Sequence, residues 1–294
     1  MAAPVFDKNF ALNVMYPAAN AAYLVMSVPP PPLDLPDGYV MIGTIMADPK
    51  KAAPAMAQAH PDQQRIANAA VSESSVFGLV AWNDALKSVL VAIRGTKTIW
   101  EWLGDFDAAP LPFLPEPGAG MAHMGFQLVY QQIRDSLLQL LSGVPCTNAQ
   151  QILVTGHSLG GALAILAAFD IVRHSGLKPS PQMITFAGPR TTDPVFEKTF
   201  NEWVPNAFRI VNFMDVVPQV PVPPVYEHVS TEILVHGGFK PLDVTDAHHL
   251  TTYLAGLQKY QAPVGAQTPA PAPAPPVDIT ATVTPTPAAA ATQA

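Results

Sequence analysis

Short apolar runs alternate with stretches of helical periodicity through the middle of the chain. Runs rich in β-branched and other apolar residues predict strands over residues 76–82, 88–93, 151–155, 182–187, 208–213 and 232–236. Apolar residues at helical spacing predict helices over residues 125–141 and 159–174. Strands that alternate with helices indicate a mostly parallel sheet flanked by helices, an α/β fold. In such a fold the functional site lies outside the carboxyl ends of the strands.

The pattern changes near residue 260. Residues 1–260 show no internal repeat, and a chain of 294 residues is long enough to form one large domain. We therefore predict that residues 1–260 form one domain. Residues 261–294 are rich in Pro, Ala and Thr, with Asp278 as their only charge, and no periodicity there would bury a face. We therefore predict a disordered tail over residues 261–294.

Composition excludes several classes of protein. Although 49% of residues are hydrophobic and 13% charged, no apolar run reaches the roughly 20 residues of a spanning helix, so a transmembrane segment is not expected. The net charge of −7 argues against nucleic acid as a partner. The single cysteine, Cys146, allows no intrachain disulfide. With no secretory leader evident, a cytoplasmic address is the default expectation and leaderless secretion the alternative. The composition does not indicate an oligomeric state.

The most informative segment is an apolar strand that runs into Gly156-His157-Ser158-Leu159-Gly160 and directly into a helix. A Gly-x-Ser-x-Gly between strand and helix is the context of a nucleophile elbow, in which the serine hydroxyl projects from a sharp turn at a helix N-terminus. Ser158 is therefore the predicted nucleophile. Phosphate-binding, dinucleotide-binding and zinc-protease motifs are missing from the sequence, so neither a metal nor a cofactor is predicted.

A serine nucleophile needs an acid and a histidine, which follow it in that order in α/β-hydrolases. Asp215 comes just after the apolar run 208–214, so it is predicted to lie at the carboxyl end of a strand. Three other acids compete with it. A helix-capping role suits Asp193, and Asp243 and Asp246 stand so close to the histidines that cap or loop roles suit them.

The general base is expected among the late histidines. His248 and His249 stand at the start of a predicted helix with an apolar face, late enough in the chain to return to the active edge of the sheet. One of this pair is the predicted base. Structural roles are assigned to the other histidines after the serine: His174, His228 and His236.

Several segments, in combination, resemble the class 3 lipase family of fungal, plant and bacterial acylglycerol lipases and phospholipases, and the resemblance covers about residues 75–258. These segments are Val91-Ala92-Ile93-Arg94-Gly95-Thr96 with Trp102 and Asp105 after it, His123-Met124-Gly125-Phe126, Gly156 to Ala164, Phe186-Ala187-Gly188-Pro189-Arg190, and Arg209-Ile210-Val211-Asn212 leading to Asp215 and Pro218. The resemblance implies an α/β-hydrolase fold.

The resemblance also implies roles for individual residues. Ser158 would be the nucleophile and Asp215 the acid, while Thr96 and the backbone N–H of Leu159 would supply the oxyanion hole. Fungal members often carry Ser where this chain has Thr96, a change that keeps both the hydroxyl and the amide.

The resemblance leaves two histidines as candidates for the base. The segment from His248 to Leu254 is similar to the His-x-Leu-x-x-Tyr-Leu of plant and bacterial relatives, which favours His248 as the base. Fungal members place the histidine three residues before the aromatic residue, a position that Leu250 occupies in this chain. The alignment therefore does not choose between the two histidines, and His249 is the alternative.

The residues predict two-step ester hydrolysis through an acyl-enzyme. By resemblance, the substrate would be an acylglycerol at a lipid–water interface, which makes a triacylglycerol lipase the first hypothesis. Phospholipase A1 and a short-chain esterase are alternatives of the same class. A non-catalytic lipid-binding protein with the same fold is the alternative of a different class.

A lid is predicted over residues 98–107. Projected as a helix, this segment places apolar side chains on one side and Glu101 and Asp105 opposite them. A surface helix that opens towards lipid would have this pattern. The alternative is a fixed surface helix whose aromatic residues join the core. The predicted lid and substrate-contacting residues are Trp100, Trp102, Leu103 and Phe106.

Overall fold

The computed structural model describes residues 4–27, 29–51, 61–96, 109–238 and 245–262. Within these residues one sheet has seven strands: β1 (Val40–Met46), β2 (Val76–Asn83), β3 (Ser88–Ile93), β6 (Gln151–His157), β7 (Gln182–Phe186), β8 (Ala207–Asn212) and β9 (Thr231–Val235). They lie side by side in the order β1-β2-β3-β6-β7-β8-β9. The pairs from β3 to β9 are parallel, whereas β1 pairs with β2, and β2 with β3, in antiparallel fashion. The prediction of a mostly parallel sheet is confirmed.

A short two-stranded sheet lies apart from the main sheet. It pairs β4 (Pro110–Pro112) with β5 (Met121–His123) antiparallel.

Helices cover both faces of the main sheet. The α-helices are α1 (Lys8–Phe10), α2 (Tyr16–Leu24), α3 (Pro61–Glu73), α4 (Met124–Ser142), α5 (Leu159–His174), α6 (Pro194–Trp203) and α7 (Leu250–Lys259), and a π-helical segment, Ala11–Met15, joins the first two. Short 3-10 turns occupy Pro49–Lys51, Pro117–Ala119, Cys146–Asn148, Val217–Gln219 and Asp246–His248. None of the helices in the described part of the chain is long and apolar enough to cross a membrane.

The side chains of the central strands alternate between two hydrophobic cores. On β3, Val89 and Val91 enter the core beneath α4 and α5, whereas Leu90 enters the core beneath α2 and α7. All six residues of β3 are buried. A strand buried on both faces reads as a continuous apolar run, which explains why the central strands were visible in the sequence.

The N-terminal segment adds structure that the sequence did not predict. The helices from Lys8 to Leu24 pack small buried residues, including Ala18 and Ala22, against the sheet. Lys8 Nζ donates hydrogen bonds of 2.7 and 2.8 Å to the carbonyl oxygens of Gln258 and Tyr260. The N-terminal helix is thereby joined to the end of α7. The predicted tail falls mainly on residues 263–294, which lie outside the described residues.

Candidate active site

The strand β6 and the helix α5 meet at Ser158 in a sharp turn. Ser158 has φ 61° and ψ −128°, a left-handed conformation that costs a non-glycine residue roughly 1–3 kcal/mol. A Cβ on Gly156 would collide with the carbonyl oxygen of Gly160, and a Cβ on Gly160 would collide with that of Ile93. Both glycines are therefore required by close backbone approach.

The elbow also presents hydrogen-bond donors. The amide of Ser158 donates to the carbonyl of Phe186 at 2.9 Å, which fixes the turn to β7. Leu159 is the first residue of α5, so its amide has no acceptor within the helix and lies at the positive end of the helix dipole. This position suits an amide that stabilises a developing negative charge.

Three predicted residues form one buried hydrogen-bonded chain. His248 Nε2 lies 2.8 Å from Ser158 Oγ, and His248 Nδ1 lies 2.8 Å from Asp215 Oδ2. Each of the three residues is at most 5% exposed. This geometry lets the imidazole accept a proton from the serine while the carboxylate orients it and stabilises its positive charge.

The competing candidates lie elsewhere. Asp193 caps α6, with Oδ1 accepting from the amide of Phe196 at 2.8 Å. His249 is exposed, and its Nδ1 lies 4.0 Å from Asp246 Oδ1. Asp243 lies outside the described residues. Of the two adjacent histidines, the structure thus brings His248 to the serine.

Asp215 is held by two donors besides His248. The amide of Val217 donates to Oδ1 at 3.0 Å, and the hydroxyl of Tyr253 donates to Oδ2 at 2.6 Å. Burial, reinforced by the negative charge of Asp215, raises the pKa of Tyr253 well above its usual value. The phenol therefore stays protonated and remains a donor to the carboxylate.

Buried side chains also hold the backbone around His248. The three consecutive carbonyls of residues 246–248 accept hydrogen bonds from Thr252 Oγ1 at 2.7 Å, Asn212 Nδ2 at 2.9 Å and His157 Nε2 at 2.8 Å, respectively. The donors come from α7, β8 and β6. The orientation of His248 is therefore set by three separate elements before any substrate binds.

The tautomer of His157 follows from its partners. Because Nε2 faces a carbonyl, it carries the proton, and Nδ1 accepts from the hydroxyl of Tyr23 at 2.8 Å. Burial, and then the neighbouring His248, lowers the pKa of His157 well below its usual value. Burial likewise raises the pKa of Tyr23. Both groups are neutral. They therefore connect α2, through the nucleophile elbow, to the backbone of His248 without adding a charge to the site.

The predicted oxyanion residue Thr96 lies on the loop that follows β3. This loop abuts the nucleophile, since a Cβ on Gly95 would lie only 3.1 Å from Ser158 Cβ. The hydroxyl of Thr96 donates its proton to Glu73 Oε1 in a very short hydrogen bond. The backbone amide is then the donor that Thr96 would contribute beside the amide of Leu159.

The predicted lid is not part of the described structure. The segment 97–108 lies outside the described residues. The lid and substrate-contacting roles of Trp100, Trp102, Leu103 and Phe106 therefore stay predictions.

Metal-ligating side chains do not gather in the part of the chain that the structure describes. Across those ranges no group of three or more His, Cys, Asp or Glu residues is placed to hold a metal ion. The single cysteine, Cys146, is buried, and burial raises the pKa of its thiol. A buried thiol of raised pKa is a poor nucleophile.

The residues that support the site gave weak signals in the sequence or none. Asn212 and Tyr253 lie within segments that resemble the family. Their amide and phenol groups were the signals that these residues form hydrogen bonds at the site. His157 stood between the first glycine and the serine of the elbow. Tyr23 and Glu73 carried no local signal, because they reach the site from helices distant in the sequence.

Comparison with known proteins identifies a related family. Residues 90–224 match the sequence profile of the family Lipase (class 3). A lipase of Rhizomucor miehei is 33% identical over 147 residues, which cover 49% of this chain and 40% of that protein. Phospholipase A1-II 7 of Oryza sativa subsp. indica is 31% identical over 217 residues, which cover 61% of this chain and 53% of that protein. The chain thus spans about half the length of these curated relatives.

Solved structures show the same fold. The triacylglyceride lipase of Rhizomucor miehei superimposes with a TM-score of 0.54, covering 75% of this chain and 78% of that chain at 23% sequence identity. At this identity the likeness establishes the architecture, an α/β fold with a mostly parallel central sheet and flanking helices.

Proposed function

Residues 90–224 belong to the class 3 lipase family, and from that premise we propose that this protein is a serine hydrolase that cleaves acylglycerol esters through an acyl-enzyme. The observation that carries the proposal is the buried chain from Ser158 Oγ through His248 to Asp215, with 2.8 Å at each contact. A lipid-binding protein without catalysis would have no need of this geometry.

Acylation begins with the attack of Ser158 Oγ on the ester carbonyl carbon, while His248 Nε2 takes the hydroxyl proton. Asp215 stabilises the imidazolium that results. The carbonyl oxygen becomes negative between the amides of Thr96 and Leu159, and each such donor commonly lowers the barrier by about 3 kcal/mol. The intermediate then collapses, and the leaving alcohol receives its proton from His248.

Deacylation reverses the roles with water as the nucleophile. His248 accepts a proton from the water as its oxygen attacks the acyl carbon, and the same two amides hold the second oxyanion. Collapse breaks the bond to Ser158 Oγ, which regains its proton from His248. The fatty acid leaves, and the enzyme returns to its starting state.

A triacylglycerol is the first proposed substrate, since the Rhizomucor miehei relative is a lipase. In this proposal, the apolar residues predicted for the segment 98–107 would contact lipid when the site opens.

Phospholipase A1 activity is the second candidate. The similarity to the Oryza sativa phospholipase A1-II 7 extends over 217 residues, against 147 for the Rhizomucor miehei lipase. This longer match favours a glycerophospholipid as the competing substrate.

The purified protein should be assayed in parallel on tributyrin, triolein and phosphatidylcholine emulsions. Ser158→Ala is expected to lower hydrolysis by about 10⁶-fold, to background. Asp215→Asn is expected to lower it by roughly 10⁴-fold, because the imidazole loses the partner that fixes its tautomer. The preferred ester identifies the substrate class, and a rate that rises above the solubility limit would reveal interfacial activation.

Ser175→Ala is the matched control, since Ser175 caps the other end of α5, where its hydroxyl donates to the carbonyl of Ile171 at 2.6 Å and accepts from the amide of Leu177 at 3.1 Å. It should retain the wild-type rate. Hydrolysis by Ser158→Ala at the rate of this control would refute the proposal. A wild-type protein that binds the emulsions without hydrolysing any ester would instead support a lipid-binding protein.

A further inference from the structure

Glu73 is a partly buried carboxylate that none of the recognised motifs includes. It is the last residue of α3, and its side chain is only 14% exposed. One oxygen, Oε1, accepts the hydroxyl proton of Thr96, and the other, Oε2, lies 3.4 Å from Arg94 Nη1. The carboxylate thus contacts both ends of the short loop that carries the predicted oxyanion donor.

Arg94 fixes this carboxylate to the fold. Its side chain is fully buried, and Nε donates to the carbonyl of Val76 at 2.7 Å. The other donors reach the carbonyls of Gly95 at 2.7 Å, Ser74 at 2.8 Å and Ala70 at 3.2 Å. A guanidinium with so many acceptors has essentially one position, so it ties the end of α3 to the start of the loop.

The loop lies against the nucleophile. A Cβ on Gly95 would approach Ser158 Cβ to 3.1 Å, and a Cβ on Gly160 would collide with the carbonyl of Ile93, just before the loop. A small shift of the loop therefore changes the distance from the amide of Thr96 to the reacting carbonyl. Misplacement of a catalytic group by about 1 Å can lower a rate by roughly 10²-fold.

We propose that Glu73 is a positioning residue for the oxyanion hole: it holds the hydroxyl of Thr96 so that the amide of Thr96, and not its hydroxyl, faces the developing oxyanion. The proposal rests on the proposed function, because it assigns a geometry to the same site. A hydroxyl has one proton, and the proton of Thr96 is already donated to Glu73.

The charge of Arg94 makes this arrangement compatible with catalysis. A carboxylate close to a developing oxyanion would by itself oppose the reaction. The guanidinium beside Glu73 offsets that charge, while the hydrogen bond to Thr96 is kept.

A double-mutant cycle tests the proposal with p-nitrophenyl butyrate, a soluble ester. Glu73→Ala and Thr96→Val are each expected to lower kcat about tenfold with KM changed less than about twofold, because the lost alignment matters in the transition state. The double variant should be no slower than either single variant, since both remove the same contact. Thr96→Ser, which keeps the hydroxyl, should remain within about twofold of the wild type.

Glu116→Ala is the matched control. Glu116 also pairs with an arginine, accepting two hydrogen bonds of 2.8 Å from Arg173. Its removal should leave kcat unchanged. A kcat for Glu73→Ala that equals or exceeds that of the wild type would overturn the proposal. Multiplying losses in the double variant would also overturn it, because Glu73 would then act on the fold and not through Thr96.

Labelling of Ser158 by a fluorophosphonate separates this proposal from the proposed function. The phosphonyl oxygen occupies the oxyanion hole, so the labelling rates should follow the order expected for kcat, whether or not an ester is turned over. Labelling that follows this order without ester hydrolysis would support the role of Glu73 and refute the proposed function. A wild-type protein that is neither labelled nor active would overturn both.

Discussion

The two sides of the site are built by different means. On the nucleophile side, backbone places the reacting group: Ser158 has a positive φ, and Gly156 and Gly160 allow main chains to touch. On the histidine side, buried side chains place the reacting group. They donate hydrogen bonds to the carbonyls of residues 246–248 and to the carboxylate of Asp215.

This difference predicts how each side responds to substitution. A collision between main chains cannot be relieved by rotation of a side chain, so an added methyl group on the nucleophile side must move the strand or the helix. A lost hydrogen bond on the histidine side costs about 1–3 kcal/mol and leaves the backbone in place. We therefore expect large losses at the elbow and graded losses around the histidine.

Among substitutions that leave Ser158, His248 and Asp215 in place, Gly156→Ala should give the largest effect. The added Cβ would collide with the carbonyl oxygen of Gly160, so we expect a loss of about 3 kcal/mol in the free energy of unfolding and of at least about 10²-fold in kcat. Denaturant unfolding and ester hydrolysis measure the two quantities. Gly118→Ala is the control, because a Cβ at Gly118 would meet no atom within 4 Å. If the two variants behaved alike, backbone packing would not set the elbow.

His157→Leu should give an intermediate effect that depends on pH. At pH 8 it should cost about 1–3 kcal/mol, because the carbonyl of His248 loses its donor. Burial holds the pKa of His157 well below its usual 6.5, so below pH 6.5 unfolding takes up a proton and the wild-type protein loses stability.

The difference in free energy of unfolding between wild type and His157→Leu should therefore shrink as the pH falls below 6.5, by up to about 1.4 kcal/mol per pH unit. Above that pH the imidazole is neutral in both states, so the difference should be constant. Urea titrations from pH 5 to pH 8, chosen to span the usual pKa of histidine, measure it. A difference that does not vary with pH would show that His157 is not buried in its neutral form.

The parts of the fold that the sequence predicted are those whose signals are local. The buried strands β3 and β6 read as apolar runs, and the motif around Ser158 carries its own glycines. The positions of Asp215 and His248 followed from chain order and from resemblance, and the structure brings both to the serine.

The parts that escaped prediction depend on distant contacts. The N-terminal helix buries mostly alanines, whose small side chains give little periodic contrast, and Pro17 interrupts the apolar stretch although it is tolerated at the start of α2. Tyr23 meets His157 across 134 positions of sequence. Nothing near Tyr23 in the sequence could indicate that partner, because it is set by the way α2 packs on the sheet.

Tyr253→Phe should give the smallest effect and sharpens the contrast most directly. The phenol donates to Asp215 Oδ2 at 2.6 Å, but Asp215 keeps its bonds from His248 and Val217. We expect kcat to fall about fivefold, because the carboxylate that orients the imidazole loses one of its donors. Tyr130→Phe is the matched control, since Tyr130 donates at 2.7 Å to Asp170, a buried carboxylate that does not contact the site. Both variants should lose about 1–2 kcal/mol of unfolding free energy, yet only Tyr253→Phe should lose activity. Equal changes in kcat would mean that global stability, and not the orientation of Asp215, accounts for the effect.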